Sequence, residues 1–118
     1  MFLAYAAPRE REAALDRQLE ARTAATITDP AALRAHLGDV RRLGYATDQA
    51  ELIAGVCCVA APVFDYRGAV AGTLSVSVIV PRLEPPALMG LLRPLLDATR
   101  RFSRRQGHDD REAAAAPA

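Results

Sequence analysis

The chain has 118 residues, of which 51% are apolar and 25% charged, and its net charge is +1 at neutral pH. This length allows one domain with a moderate core, the composition is that of a soluble globular protein, and no apolar run is long enough to cross a bilayer. Acidic and basic residues are mixed along most of the sequence, without the broad basic surface that nucleic-acid binding needs. We therefore expect a cytoplasmic, single-domain protein that does not bind DNA by itself.

The first part of the chain predicts two short helices and a connector. Residues 1–6 are apolar and are expected to form the last turn or two of a helix. A short amphipathic helix is expected to begin at Pro8 and to continue to about Glu20. The Thr-rich residues 22–28 are expected to form a connector.

The next segment carries a clear helix start and stop. Asp29 can cap the helix, Pro30 suits its first position, and Gly44 can end it in a left-handed conformation. The apolar residues between them recur at helical spacing: Leu33, Leu37 and Val40. Residues 45–48 are then expected to be extended, and residues 49–54 to form a loop.

Residues 55–80 predict a β-hairpin, around which we expect the chain to be organised. Two runs rich in Val and Ala flank the turn candidate Asp65-Tyr66-Arg67-Gly68. Asp followed by Gly at the end of a four-residue connection is a common hairpin signal. The two runs are therefore expected to lie side by side as antiparallel strands.

The expected register pairs Phe64 with Ala69 and Cys58 with Ser75. Because side chains alternate with period two, one face then carries a thiol and three hydroxyls. Its members are Cys58, Thr73, Ser75 and Ser77, and the opposite face carries Leu74, Val76 and Val78. A slip of one residue, for instance through a bulge at Gly68, would separate Cys58 from the serines. In the expected register, Cys58 and Ser75 are neighbours on a face that helices or a ligand cover.

Beyond the hairpin, three prolines between residues 81 and 86 are expected to end the strand. A long amphipathic helix, kinked at Pro94, should follow. Its apolar positions are Leu88, Leu91, Leu92, Leu95 and Phe102. We expect His108 to lie in a frayed end without a partner and residues 109–118 to form a disordered tail.

The residues alone leave three classes of function open for the hydroxyl-bearing face. It could be a small-molecule pocket, an enzyme with Cys58 as nucleophile, or a protein-interaction module without a ligand. A reactive thiolate needs a nearby cation or histidine, and neither adjoins Cys58 in the sequence or in the expected ladder. Adjacent cysteines on a strand point to opposite faces, so Cys57 and Cys58 predict reduced thiols and no structural zinc site.

Four pieces, in their order and spacing, carry a family resemblance. They are the DPAAL helix start, GYA-x-D, the CVAAPV strand with its D-x-x-G turn, and the S-x-S strand. Together, over roughly residues 2–107, they resemble the C-terminal part of the effector-binding domain of IclR-type bacterial transcriptional regulators. The resemblance implies an α+β fold, a GAF-like antiparallel sheet with flanking helices, truncated at the N-terminal side. Residues 1–108 would form this partial domain.

The resemblance also implies a function. The family's domain senses a small organic molecule, often a carboxylate or aromatic acid, and the matching positions here are Asp48, Cys58, Ser75 and Ser77. It implies no catalytic residue, metal or cofactor, and a homodimer or tetramer for the full-length protein. In that family an N-terminal winged helix-turn-helix binds DNA, and a Ser- and Gly-rich segment offers backbone donors to the ligand. Neither has a counterpart in this sequence, so we expect weaker carboxylate binding than in a chain that carries this segment.

We predict that the 118-residue chain alone gives no sequence-selective shift of duplex DNA at physiological salt, because it has neither a recognition helix nor a basic face. A mobility-shift assay measures this. A selective shift by this polypeptide would show that the domain itself reads DNA.

Overall fold

Three antiparallel strands with helices on both sides form the fold, which the computed structural model describes over residues 1–79 and 85–109. The strands form one sheet in the order β1-β2-β3, so the predicted α+β antiparallel architecture is confirmed. Two expectations fall outside the described ranges, namely the disordered tail from residue 110 onward and the strand-ending role of Pro81. The elements are α1 (Phe2–Tyr5), α2 (Pro8–Leu15), α3 (Pro30–Leu43), β1 (Ala46–Gln49), β2 (Val56–Phe64), β3 (Val70–Ile79), α4 (Pro85–Gly90) and α5 (Leu92–Arg105).

Helix α3 begins and ends as the sequence predicts. The Asp29 side chain accepts the N–H of Ala32 at 2.7 Å, and Pro30 occupies the first turn. At the other end Gly44 has a φ of 76° and donates its N–H to the Val40 carbonyl. Helix α2 is shorter than predicted, since it ends at Leu15. That leucine is its buried residue, and a short helix without further buried apolar contacts is not stable.

One face of the sheet packs against the C-terminal helices. Along β2, Cys57, Val59 and Ala61 are buried, in alternation with residues that point to the opposite face. They form a core cluster with Leu88 of α4 and Leu95 of α5. The register places three partly buried residues of β3 on this face, as predicted: Leu74, Val76 and Val78. This layer is the first hydrophobic core.

The opposite face of the sheet is covered in part by the N-terminal helices. Helices α1, α2 and α3 share a second cluster of buried residues: Ala4, Leu15, Leu37 and Val40. Ala46 of β1 packs against this cluster and lies opposite Ala60 of β2. Opposed residues of an antiparallel pair share a face, so the three helices lie on the face that Ala46 and Ala60 share. Elsewhere on this face Ser75 and Ser77 remain exposed.

The connection between β2 and β3 is one residue longer than the sequence predicts. Phe64 pairs with Val70 and not with Ala69. The Asp65 carboxylate holds this connection, since its Oδ1 accepts the N–H groups of Arg67 at 2.8 Å and Ala69 at 3.0 Å. These bonds, the one from Ala69 foremost, lower the pKa of the Asp65 carboxyl. The ionised side chain therefore stabilises the longer turn.

A second shift of one residue occurs inside the ladder, where Ala71 has no partner on β2 and forms a bulge. The two shifts together move the register by two residues, so Cys58 lies opposite Ser77 and the predicted Cys58–Ser75 pair is wrong. The prediction that these side chains share a face is nevertheless confirmed. A displacement by an even number of residues keeps every side chain on its face.

The C-terminal segment forms two helices instead of one kinked helix. The sequence predicts a kink at Pro94, whereas the break lies at Leu91, between α4 and α5. Proline lacks an N–H, and its ring clashes with the carbonyl four residues earlier, so a helix accepts it best in the first turn. Because α5 begins at Leu92, Pro94 falls within that turn.

Two side chains near the C-terminus depart from expectation. Phe102, predicted among the apolar positions of the helix, is 49% exposed and lines a surface depression together with Ala71 and Gly72. His108, predicted to have no partner, is half-buried, with its ring centroid 5.1 Å from that of Phe64. None of the helices within residues 1–79 and 85–109 has the length and apolar character needed to span a membrane.

We predict opposite effects for two glycine-to-alanine changes near and within α3. A methyl group would meet nothing within 4 Å at either position, but Gly44 has a positive φ and Gly38 does not. Gly44→Ala should lower the free energy of unfolding by about 1 kcal/mol or more. Gly38→Ala should raise it by roughly 0.5–1 kcal/mol. Urea unfolding of both variants measures this. If both substitutions changed the free energy of unfolding in the same direction, backbone conformation would be excluded as the cause.

Candidate functional site

Three side chains from different strands form one row across the sheet. Asp48 of β1 pairs with Cys58 of β2, which pairs on its other side with Ser77 of β3. Opposed residues in antiparallel ladders point to the same face, so a carboxylate, a thiol and a hydroxyl lie side by side. The Cys58 Sγ and Ser77 Oγ atoms are 3.0 Å apart and form a hydrogen bond in which either can donate. We call these three residues the polar row.

The fourth predicted residue, Ser75, lies beside the polar row. It is opposite Ala60 and on the same face as Ser77. Both serines are exposed and Cys58 is half-buried, so helices do not cover the two serines, and cover by a ligand stays a prediction. Helices α4 and α5 lie on the apolar face instead, where Cys57 is buried. The four predicted site residues are therefore together on an open part of the sheet.

Asp48 also has a structural contact. Its Oδ1 accepts the N–H of Glu51 at 2.7 Å and so holds the turn that follows β1. Ala50 in this turn has a φ of 61°, which is uncommon for a residue other than glycine. The second carboxylate oxygen, Oδ2, takes no part in that bond.

Two threonines of the connector before α3 also stabilise this turn, and they were not among the residues predicted from the sequence. The Thr23 hydroxyl donates to the Ala50 carbonyl at 2.7 Å, and the Thr26 hydroxyl donates to the Glu51 carbonyl at 2.6 Å. The Thr26 oxygen also accepts the N–H groups of Arg22 and Thr23. Donor and acceptor are 25 to 27 residues apart in these contacts, so no local pattern reveals them. The density of threonine in this connector is the one available signal.

The polar row can form hydrogen bonds, but it lacks the neighbours of a catalytic thiol. Cys58 bonds to the Ser77 hydroxyl, and no hydrogen bond in the described part of the chain joins it to a histidine or an arginine. The His108 ring stacks on Phe64 instead. A thiolate nucleophile needs a cation or a base beside it. The geometry therefore suits ligand binding better than thiol chemistry.

Comparison with known proteins gives a consistent result. Residues 1–104 match the family described as bacterial transcriptional regulator IclR, C-terminal. Among curated proteins, the chain is similar to the HTH-type transcriptional regulator BhcR of Paracoccus denitrificans, with 38% identity over 103 residues. This alignment covers 86% of the chain and 37% of BhcR. The chain thus spans about a third of the length of the curated relatives it matches.

Solved structures agree with this match. The chain is similar to a Silicibacter sp. protein assigned as an IclR transcriptional regulator, with a TM-score of 0.84 and 36% identity over 92% of this chain and 42% of the other. It is also similar to the inducer-binding domain of a PobR double mutant from Acinetobacter, solved with 3-hydroxybenzoic acid. That likeness has a TM-score of 0.77 and 25% identity, and it covers 88% of this chain and 59% of the other.

We predict that iodoacetamide modifies Cys58 much faster than Cys57 in the folded chain. Cys58 is half-buried on the open face, whereas Cys57 is 8% exposed beneath α4 and α5. Mass spectrometry of quenched samples measures both rates, and Cys58→Ala should remove the fast phase while Cys57→Ala leaves it. Equal rates for the two thiols would contradict the assignment of the covered face.

Proposed function

The chain belongs to the family of bacterial transcriptional regulator IclR C-terminal domains, and from this premise we propose that its polar row and Ser75 bind a small organic acid. The chain would then be the sensing domain of a transcriptional regulator. The observation that carries this proposal is the row itself, in which Asp48, Cys58 and Ser77 meet across three strands. The relatives are transcriptional regulators and not enzymes, which also favours sensing over catalysis.

The donors of the site fit the carboxylate end of such a ligand. The Cys58–Ser77 hydrogen bond occupies one of the two hydrogens of that pair, so Ser75 and the other member of the pair can each point one hydrogen to an anionic oxygen. The Cys58 Sγ and Ser77 Oγ atoms are 3.0 Å apart, which supports the proposal that both side chains contact the same ligand carboxylate. Hydrogen bonds to a charged acceptor are stronger than neutral ones, so these two donors can offset part of the cost of removing a carboxylate from water.

Asp48 determines how the ligand is oriented. The four site side chains include no cation, so a carboxylate placed against Asp48 would meet a like charge without compensation. We therefore place the ligand carboxylate at the serines and a ligand hydroxyl at the Oδ2 of Asp48. A hydroxylated aromatic acid has both groups, and the PobR domain was solved with one, 3-hydroxybenzoic acid. This class of ligand is our first candidate for the chain.

The curated relatives are longer than this chain, which covers 34–37% of their length. We propose that effector binding is passed to a helix-turn-helix domain in the full-length regulator, as the HTH-type names of the relatives suggest. Assembly of the full-length protein as a homodimer or tetramer is part of the same proposal. The present chain would contribute the effector site and no contact with DNA bases.

We predict that Ser77→Ala weakens binding of 3-hydroxybenzoate to the chain by about tenfold, because one charge-assisted hydrogen bond is lost. Thr73→Ala is the matched control, since Thr73 is an exposed hydroxyl on the same face of β3 but opposite Pro62, away from the polar row. It should leave the affinity within about twofold of the original value. Isothermal titration calorimetry measures both, alongside benzoate, which lacks the hydroxyl and should bind more weakly.

Three results would contradict the proposal. Equal affinities of the Ser77→Ala variant and the original chain would remove the hydroxyl from the site. Equal affinities for benzoate and 3-hydroxybenzoate would remove the assigned role of Asp48. Absence of heat and of any ligand-dependent rise in melting temperature would favour the remaining class, a protein-interaction module without a ligand.

A further inference from the structure

A cavity of about 520 Å³ lies at the edge of β2 that β1 leaves uncovered. Strand β1 pairs with Cys57 to Ala60, and among the described strands the remaining residues of β2 have no partner on that side. The cavity is bounded there by Pro62 and Phe64, by the end of α3 at Leu43 and Gly44, and by α5. It shares no lining residue with the polar row, and its volume is typical of a small-molecule site.

The two buried polar side chains of the described ranges, Thr99 and Ser103, both line this cavity. Ser103 has a structural reason to be there, because its hydroxyl accepts the N–H of Phe64 at 2.9 Å beyond the end of β1. The same hydroxyl donates to the Thr99 carbonyl, and the Thr99 hydroxyl donates to the Leu96 carbonyl. Since both hydroxyl hydrogens are used in this way, neither is available to an anion in the cavity.

A cationic group of the same wall is available instead. Arg100 lines the cavity, and its guanidinium lies 3.6 Å from the carboxylate of Asp97. Both partners of that ion pair are more than half exposed, so the pair is weak and the guanidinium can bond a ligand as well. His108 lines the same wall and adds a further N–H donor. This wall therefore favours an anionic group.

The remaining wall is apolar. The Phe64 ring lies in a short aromatic series, 5.5 Å from the Tyr5 centroid and 5.1 Å from the His108 centroid. Leu43 and Leu96 add aliphatic surface beside it. A planar ring that packs against these side chains gains from burial and from contact with the aromatic group. The walls thus differ in chemistry, one cationic and one apolar.

We propose that this cavity is a second binding site, for a small carboxylate with an aromatic body. The ligand carboxylate bonds to Arg100 and to the imidazole of His108, and its ring packs against Phe64 and Leu96. The site lies between α3 and α5, so its occupancy joins the N-terminal helical cluster to the C-terminal one independently of the polar row.

Titration of the ¹⁵N-labelled chain with benzoate, followed by NMR, tests this proposal. We expect saturable shifts for the amides of Gly44, Phe64 and the end of α5.

Arg100→Gln should weaken this binding by about tenfold, through loss of a charge-assisted bond. Arg101→Gln is the matched control, because Arg101 is the next residue and carries the same charge but does not line the cavity. It should change the affinity by less than about twofold. Both residues are exposed, and the melting temperatures of the variants verify that folding is retained.

Two matched ligands separate the contributions. Benzyl alcohol lacks the charge and acetate lacks the ring, so each should bind at least about tenfold more weakly than benzoate. An equal loss of affinity in Arg100→Gln and Arg101→Gln would mean that the overall positive charge of α5 attracts the ligand, and it would overturn the proposal. So would shifts confined to the amides around Cys58 and Ser77. Because the two sites report through different amides, failure of this site is distinguishable from failure of the polar row.

Discussion

Burial of one face of the β2-β3 ladder is the constraint on which the rest of the structure depends. Leu74, Val76 and Val78 must face α4 and α5 together with the buried residues of β2. Full burial of a side chain of this size stabilises the fold by about 1.5–3 kcal/mol. A register displaced by an odd number of residues would expose all three and place Ser75 and Ser77 in the core. The ladder can therefore tolerate only even displacements.

The turn and the bulge together satisfy this constraint. The carboxylate of Asp65 stabilises a connection one residue longer than the sequence predicts, which by itself would invert the faces of β3. The bulge at Ala71 adds a second residue and restores them. As a consequence Ser77, and not Ser75, comes to lie opposite Cys58. The residue that contacts the thiol is thus determined by a turn at the far end of the hairpin.

The shortness of β1 accounts for both candidate binding places. Its four residues are enough to bring Asp48 beside Cys58, which completes the polar row. Strand β1 begins at Ala46, opposite Ala60, so none of the described strands lies beside the last residues of β2 on that edge. Helix α5 supplies the Ser103 hydroxyl to the Phe64 N–H there, and the cavity lies at the same edge. One strand therefore positions the polar row at one of its ends and leaves room for a second site at the other.

Sequence by itself determined the features whose causes are local. Asp29, Pro30 and Gly44 set the bounds of α3 through their own hydrogen bonds and backbone angles, and strict alternation along the hairpin assigned each side chain to a face. The family resemblance added the α+β fold, which the structure confirms, and four site residues, which stay a prediction. Tertiary structure alone decided which serine meets Cys58, which face is open, and where the C-terminal helix breaks. It also brought Thr23 and Thr26 to the turn after Asp48, and His108 to Phe64. These outcomes depend on contacts between residues far apart in the chain or on shifts of a single residue, and such contacts form only when the whole core packs.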